Sequence, residues 1–231
     1  MKLTNRLCCI ASKVPNGAKV ADIGTDHAYV PVFLVQNNIS SKVIASDINI
    51  GPLKRAQKHI KDSGVENFIE TRLGPGLQIL KSNEADTIII AGMGGMLIRD
   101  ILSEAEGVLN SVRTLILQPM IAQEVLREWL YNNNFKIVDE ALSREEDKIY
   151  TVIVAEHGFE VVDEIYYDIG KKLIEKKDSL LTEYLEKKIN EINKVLRYLG
   201  GQQTKNTIQR EKECQDKLNK YTEILNMVNA K

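Results

Sequence analysis

From Lys19 to Ala155 the chain repeats one pattern: a short run of apolar, often β-branched residues, a turn containing Gly, Asp or Pro, and then a stretch with helical spacing. Such runs have no polar side to offer water, so a strand made from them must be covered on both faces. Helices alternating with the strands supply that cover. The pattern predicts a doubly wound α/β sheet with right-handed crossovers.

Thr4 is placed to cap a short helix reaching about Lys13, and Pro15-Asn16-Gly17 reads as a turn. Lys19 to Ile23 forms the first strand, ending at Gly24. Helix follows from about Ala28 to Asn37. Val43 to Ser46 is the second strand, ending at Asp47. A helix entered through Pro52 runs to Ser63 and stops at Gly64. Phe68 to Leu73 and Thr87 to Ile90 are the third and fourth strands, and Gly92-Met93-Gly94-Gly95 opens the next helix. Arg113 to Leu117 is the fifth, stopped by Gln118-Pro119. A helix then carries Val125, Leu126, Trp129 and Leu130. Phe135 to Leu142 and Ile149 to Ala155 read as the arms of an antiparallel pair, joined by the charged segment Ser143 to Lys148. A parallel sheet with an antiparallel strand inserted at one edge is the Rossmann-like sheet of class I methyltransferases. It is not typical of dinucleotide dehydrogenases.

After Phe159 glycine and proline thin out. Leu181, Leu185, Ile189, Ile192, Leu196 and Leu199 are spaced by fours and threes, as are Cys214, Leu218, Tyr221, Leu225 and Val228. Gly200-Gly201 lies between the two series. Two long helices folded into an antiparallel coiled-coil hairpin satisfy this spacing. The expected domains are therefore 1–158 and 159–231. The second carries 14 lysines and arginines against 13 acids. That balance suits a solvated, self-paired hairpin, or an arm gripping RNA or a second subunit.

The net charge of −1 excludes a global basic field, so a nucleic-acid partner must be held by a local patch. Cys8, Cys9 and Cys214 form no metal-ligand spacing and read as buried, reduced thiols, so no metal is expected. The N-terminus lacks the apolar core of a signal peptide, and no apolar run nears the ~18 residues of a membrane span. The expected location is the cytoplasm.

The segment Asp22-Ile23-Gly24-Thr25-Asp26-His27-Ala28 joins the first strand to its helix, where doubly wound sheets bind ligands. Gly24 lets a ligand approach the backbone. Asp22 can accept from a ligand amine. A dinucleotide loop needs a second glycine where Asp26 stands, and a carboxylate there repels phosphate. An anionic loop favours S-adenosylmethionine, which carries an ammonium and a sulfonium and no phosphate. Asp47, followed by Ile48, ends the second strand where a carboxylate can accept both ribose hydroxyls; the alternative is a plain helix cap. Gly74-Pro75-Gly76-Leu77 can form an adenine wall or a simple turn. Ala91 and Gly92 to Gly95 stand where a transferred methyl would face its acceptor, with Gln118 and Pro119 as the next rim element. His27 and Tyr29 are further candidates for substrate contact, Tyr29 by stacking on a base. His59 and His157 read as surface or packing residues. Three functions fit these residues: a methyltransferase acting on RNA, one acting on a small molecule or protein, and a non-catalytic RNA-binding scaffold.

ADIGTDHAYVP, IIIAGMGG, LILQP and REEDKIYTVIVAE together resemble the bacterial tRNA (adenine(22)-N1)-methyltransferase family over nearly the whole chain. The resemblance implies a class I fold, S-adenosyl-L-methionine as cofactor and tRNA as partner, with a monomer expected and a dimer as the alternative. Carried over by position, the cofactor motif falls on Asp22, Gly24, Thr25, Asp26 and His27, the ribose acid on Asp47, and the acceptor-side glycines on Gly92 to Gly95. Main-chain groups of Gly76 and Leu77 complete the cofactor side, with Met93 on the substrate side. Asp26 is the expected catalytic residue, stabilising charge that develops on the ring or accepting a proton from the exocyclic amine. One departure is Pro75, where family members commonly carry an acid: a side-chain contact to the adenine amino group is lost there, and either the main chain of Gly76 and Leu77 substitutes or cofactor affinity is lower.

Overall fold

The structure is a computed structural model that describes residues 2–200 and 205–230. Its elements run α1 (Asn5–Ala11), β1 (Lys19–Ile23), α2 (Tyr29–Gln36), β2 (Lys42–Asp47), α3 (Ile50–Asp62), β3 (Ile69–Leu73), β4 (Thr87–Met93), α4 (Gly95–Ser103), α5 (Glu106–Leu109), β5 (Thr114–Pro119), α6 (Gln123–Asn132), β6 (Phe135–Glu145), β7 (Lys148–His157), α7 (Ile165–Ile169), α8 (Lys171–Glu175), α9 (Leu181–Leu199) and α10 (Lys205–Asn229). The strands form one sheet in the order β3-β2-β1-β4-β5-β7-β6. The first five are parallel, and β7 is antiparallel to both neighbours. The predicted sheet is present, with the antiparallel strand between β5 and the edge strand β6.

Alternation along the central strands assigns each residue to one of two cores. Ile88, Ile90, Leu115 and Leu117 face α4, α5 and α6. Ile89, Ile116, Val20 and Val43 face α1, α2 and α3. Thr4 caps α1, its hydroxyl accepting from the Leu7 amide. Gln118 and Pro119, expected to stop β5, lie inside it instead. Pro119 pairs with Met93 beyond a register shift at Ala91/Met93, and the next amide, that of Met120, donates to the Met93 carbonyl at 2.8 Å.

α9 and α10 pack antiparallel, with Thr182 at the start of α9 bonded to Asn229 at the end of α10. Leu181, Leu185, Ile189, Ile192, Tyr221, Leu225 and Val228 lie in their shared core, as the spacing predicts, together with Ile224. α9 ends at Leu199 with Gly200 as its cap; the expected break at Gly201 lies outside the described residues. α7 and α8 were not legible in the sequence, being too short to show a period. The same core takes in Leu142 of β6 and Ile149 of β7, so the helices are seated on the sheet's edge. Cys214 is buried, but Cys8 is exposed and Cys9 half-buried, so the expectation of buried thiols holds for one of the three. α1 is a surface helix, and Cys8 stands on its outer side. Among the described residues no helix is long and apolar enough to cross a membrane, and none of their His, Cys, Asp and Glu side chains cluster as a metal site.

One ion pair fixes that seating. Arg127 of α6 and Glu140 of β6 are both fully buried, with Arg127 Nε 2.7 Å from Glu140 Oε1. Arg127 Nη1 donates to the carbonyls of Tyr167 (2.8 Å) and Asp168 (3.3 Å), and the Lys172 amide donates to Glu140 Oε2 at 3.2 Å. Gly170 has φ +95°, and a Cβ there would stand 2.6 Å from both Glu140 oxygens. Removing one partner strands the other charge in the core, at about 3–5 kcal/mol. Arg127→Met should therefore cost roughly that much in urea denaturation, and pairing it with Glu140→Leu should recover most of the loss.

Candidate active site

The sheet's winding reverses between β1 and β4. α2 leaves β1 toward one face, and α4 leaves β4 toward the other. Beyond the carboxyl ends of these strands opens a cavity of about 450 Å³, at the position where doubly wound sheets hold ligands. Gly24, Asp47, Ile48, Gly76, Leu77, Ala91, Gly92 and Met93 all line it.

The β1–α2 loop is tightly built. Gly24 has φ +76°, and the methyl end of Met93 occupies the space a Cβ would take. The amides of Gly24 and Thr25 both donate to the Ser46 carbonyl at 2.8 Å. Those two amides are not open to a phosphate, which adds geometry to the charge argument made from Asp26. Asp22 lies beneath the loop, buried, with Thr25 Oγ1 donating to Oδ2 at 2.6 Å. Burial pushes its carboxyl up to about 6, opposed by the Thr25 hydrogen bond. Asp47 Oδ1 caps the Asn49 amide at 2.8 Å, so the cap and ligand readings coexist: Oδ2 is unengaged among the described residues.

Several expected site residues stand elsewhere. Asp26, at φ +46°, turns its carboxylate out of the cavity to an ion pair with Arg55 of α3. The role expected of it against the reacting ring has no support in that arrangement. His27 and Tyr29 stack with ring centroids 5.1 Å apart, outside the cavity. His59, read as a packing residue, holds the His27 carbonyl at 2.7 Å. Gly95 is a packing glycine, since a Cβ would stand 2.2 Å from the Ala122 carbonyl oxygen. Gly94 packs beside Ile121 and is not among the residues lining the cavity. Gln118 is fully buried and offers no rim contact; its Oε1 accepts from Arg6 Nη1 at 2.8 Å and from the Gly92 amide at 3.2 Å. Pro119 is buried beside it. The apolar strand flanks pull both inward, because β5 is covered on both faces.

Sequence reasoning missed Ser46, Asn49 and one face of α4. Leu97, Asp100, Ile101 and Glu104 line the cavity at helical spacing, which is the signal that would have found them. Pro75 also lines it. Asp100 and Glu104 bring two carboxylates to the same cavity.

Residues 3–153 match the family model described as a methyltransferase domain. Over 158 residues the chain is 45% identical to the tRNA (adenine(22)-N(1))-methyltransferase of Bacillus subtilis, covering 68% of this chain and 66% of that enzyme. The crystal structure of the B. subtilis M1A22 tRNA methyltransferase TrmK superposes with a TM-score of 0.90 at 35% identity, covering 97% of this chain and 99% of that one. The chain belongs to the tRNA (adenine(22)-N1)-methyltransferase family. Another member, M. capricolum TrmK in complex with S-adenosyl-homocysteine, superposes at 0.84 with 29% identity, covering 99% of this chain and 100% of that one.

The Asp22 carboxyl sets a pH signature within this family member. Its folded value lies above the ordinary 3.8 of an aspartate, so the stability it confers is present below about pH 4 and is lost as pH rises through 6. Asp22→Asn lacks that loss. Urea denaturation should find the variant gaining on the parent between pH 4 and 7, by up to about 3 kcal/mol.

Proposed function

We propose that this protein transfers the methyl group of S-adenosyl-L-methionine to N1 of adenosine 22 in tRNA. The observation that carries the reading is the cavity at the switch point, lined by the carboxylates of Asp47, Asp100 and Glu104 and by Gly24, whose amide and that of Thr25 are taken by the Ser46 carbonyl. Such a site rejects a pyrophosphate and accepts a cation. The B. subtilis relative is named for this reaction, and the M. capricolum structure holds the demethylated cofactor.

The cavity's residues fit the cofactor. Asp22, one residue before the lining residues Ile23 and Gly24, would attract its ammonium from beneath the loop, and Oδ2 of Asp47 would face its ribose hydroxyls. Ile48, Leu77 and Ile101 give an apolar lining for adenine, and Asp100 and Glu104 carry acceptors for its amino group. When bound, the cofactor supplies a methyl group made electrophilic by the adjacent sulfonium.

On the acceptor side Met93 ends β4 and Gly94 caps α4, with Met96, Leu97 and Ile121 exposed around them. This apolar rim suits a base held out of its stack. N1 of adenine keeps a lone pair in the ring plane at neutral pH, so no general base is needed for attack. That edge is hidden in a base pair, so the nucleotide must be unpaired or extruded, at a cost of a few kcal/mol. Catalysis then rests on holding the reacting atoms in line at roughly 3–3.5 Å. Gln118 serves this by fixing the Gly92 amide, and Arg6 holds Gln118 while bonded to Glu145 at 2.9 Å. Residues 159–231 would form a second domain.

Incubating unmodified tRNA with the protein and cofactor should yield 1-methyladenosine by nucleoside mass spectrometry, and an A22→G transcript should yield none. Cofactor binding with a different methylated product would move the acceptor; no cofactor binding would leave the scaffold reading. Affinity for the cofactor should also fall as Asp22 is protonated, by up to about tenfold per pH unit below 6. Calorimetry at pH 5 and 7.5 checks this.

A further inference from the structure

α3 begins three residues beyond Asp47, at the edge of the cavity, and is strongly basic in a chain of net charge −1. It carries Lys54, Arg55, Lys58 and Lys61 against one carboxylate, Asp62. Arg55 is engaged by Asp26. Lys54, Lys58 and Lys61 follow the i, i+4, i+7 spacing, so they share one face, spread over about 10 Å of helix. All three are exposed, and among the described residues no carboxylate lies within ion-pair distance of them. A face that is merely solvated mixes its signs, as the C-terminal helices do: Lys187 pairs with Glu183, Arg210 with Glu213 and Lys217 with Asp168.

A second, independent feature adjoins this face. The rings of His27 and Tyr29 lie nearly parallel at 9°, and His59 of α3 meets Tyr29 edge-on with centroids 5.1 Å apart. Tyr29 is 40% exposed. These three rings, with Arg55, Lys58 and the carboxylate Asp62, line a shallow depression of about 280 Å³ outside the cofactor cavity, where the two cations outnumber the one acid. Aromatic faces beside unpaired cations suit a polynucleotide strand: the rings accept a base of any sequence, and the cations track phosphates.

We infer that the outer face of α3 and the His27–Tyr29 stack hold the RNA strand flanking the target nucleotide. Lys54, Lys58 and Lys61 contact successive phosphates, and Tyr29 carries one flanking base. The Asp26–Arg55 pair ties this surface to the cofactor loop. The inference rests on the reading that the substrate is RNA.

The test compares the full chain with Lys54→Gln/Lys58→Gln/Lys61→Gln, with Tyr29→Ala and Tyr29→Phe, and with Lys212→Gln/Lys217→Gln/Lys220→Gln on α10. Calorimetry measures cofactor affinity, and KM for unmodified tRNA is followed against salt. The α3 triple variant should bind cofactor like the parent. Its KM should rise about tenfold or more, and the slope of log KM against log salt should fall by about 2. Tyr29→Ala should raise KM by roughly fivefold or more, and Tyr29→Phe should restore it. An unchanged salt slope in the α3 variant, or a loss seen only in the α10 variant, overturns the surface and leaves the methyltransferase reading standing. A parent protein that binds cofactor but neither binds nor methylates tRNA overturns both.

Discussion

Everything about the candidate site depends on the reversal of winding between β1 and β4. Two neighbouring parallel strands send their helices to opposite faces, so nothing crosses the gap above their carboxyl ends. The strands themselves are held by two cores that alternate residue by residue, Ile88 and Ile90 on one side and Ile89 on the other. A slip of one residue would exchange the cores and lose the cavity. The position of the site is therefore a consequence of topology, and its chemistry depends on which side chains end those strands.

Those ends are carboxylates, and they differ in state because their surroundings differ. Asp22 is sealed under the loop with one hydroxyl donor, so its charge is costly until a cation arrives. Asp47 is steadied by the Asn49 amide at the start of α3, and among the described residues its Oδ2 is unengaged. The loop between them is held by the Ser46 carbonyl, which takes the Gly24 and Thr25 amides away from any phosphate. Selectivity between a cationic and an anionic cofactor thus comes from backbone bonding as well as from charge.

The C-terminal helices are joined to this frame by the Arg127–Glu140 pair and by Leu142 and Ile149 beneath α7 to α10. A buried pair is an expensive way to gain stability but a strict way to set position, since its hydrogen bonds to the Tyr167 and Asp168 carbonyls are satisfied in one arrangement only. Its place between α6, β6 and the chain leading into the hairpin fixes how the long helices stand on the sheet.

Strand count, the antiparallel insertion, the hairpin and the cofactor loop were legible because each follows from local composition and period. β1 was placed to the residue by an apolar run ending at glycine. The helical face of Leu97, Asp100, Ile101 and Glu104 was periodic but gave no sign of what it faced. Gln118 and Gly95 looked like rim residues because they follow strand ends, and packing turned both inward. Asp26 looked catalytic because it stands in the loop, and Arg55, 29 residues away, draws it outward. The sequence by itself determined the fold, the charge of the cofactor loop and the family, since these reside in short segments. Only the tertiary structure decided which side chains share a cavity, because side-chain direction depends on partners brought together by the sheet from distant parts of the chain.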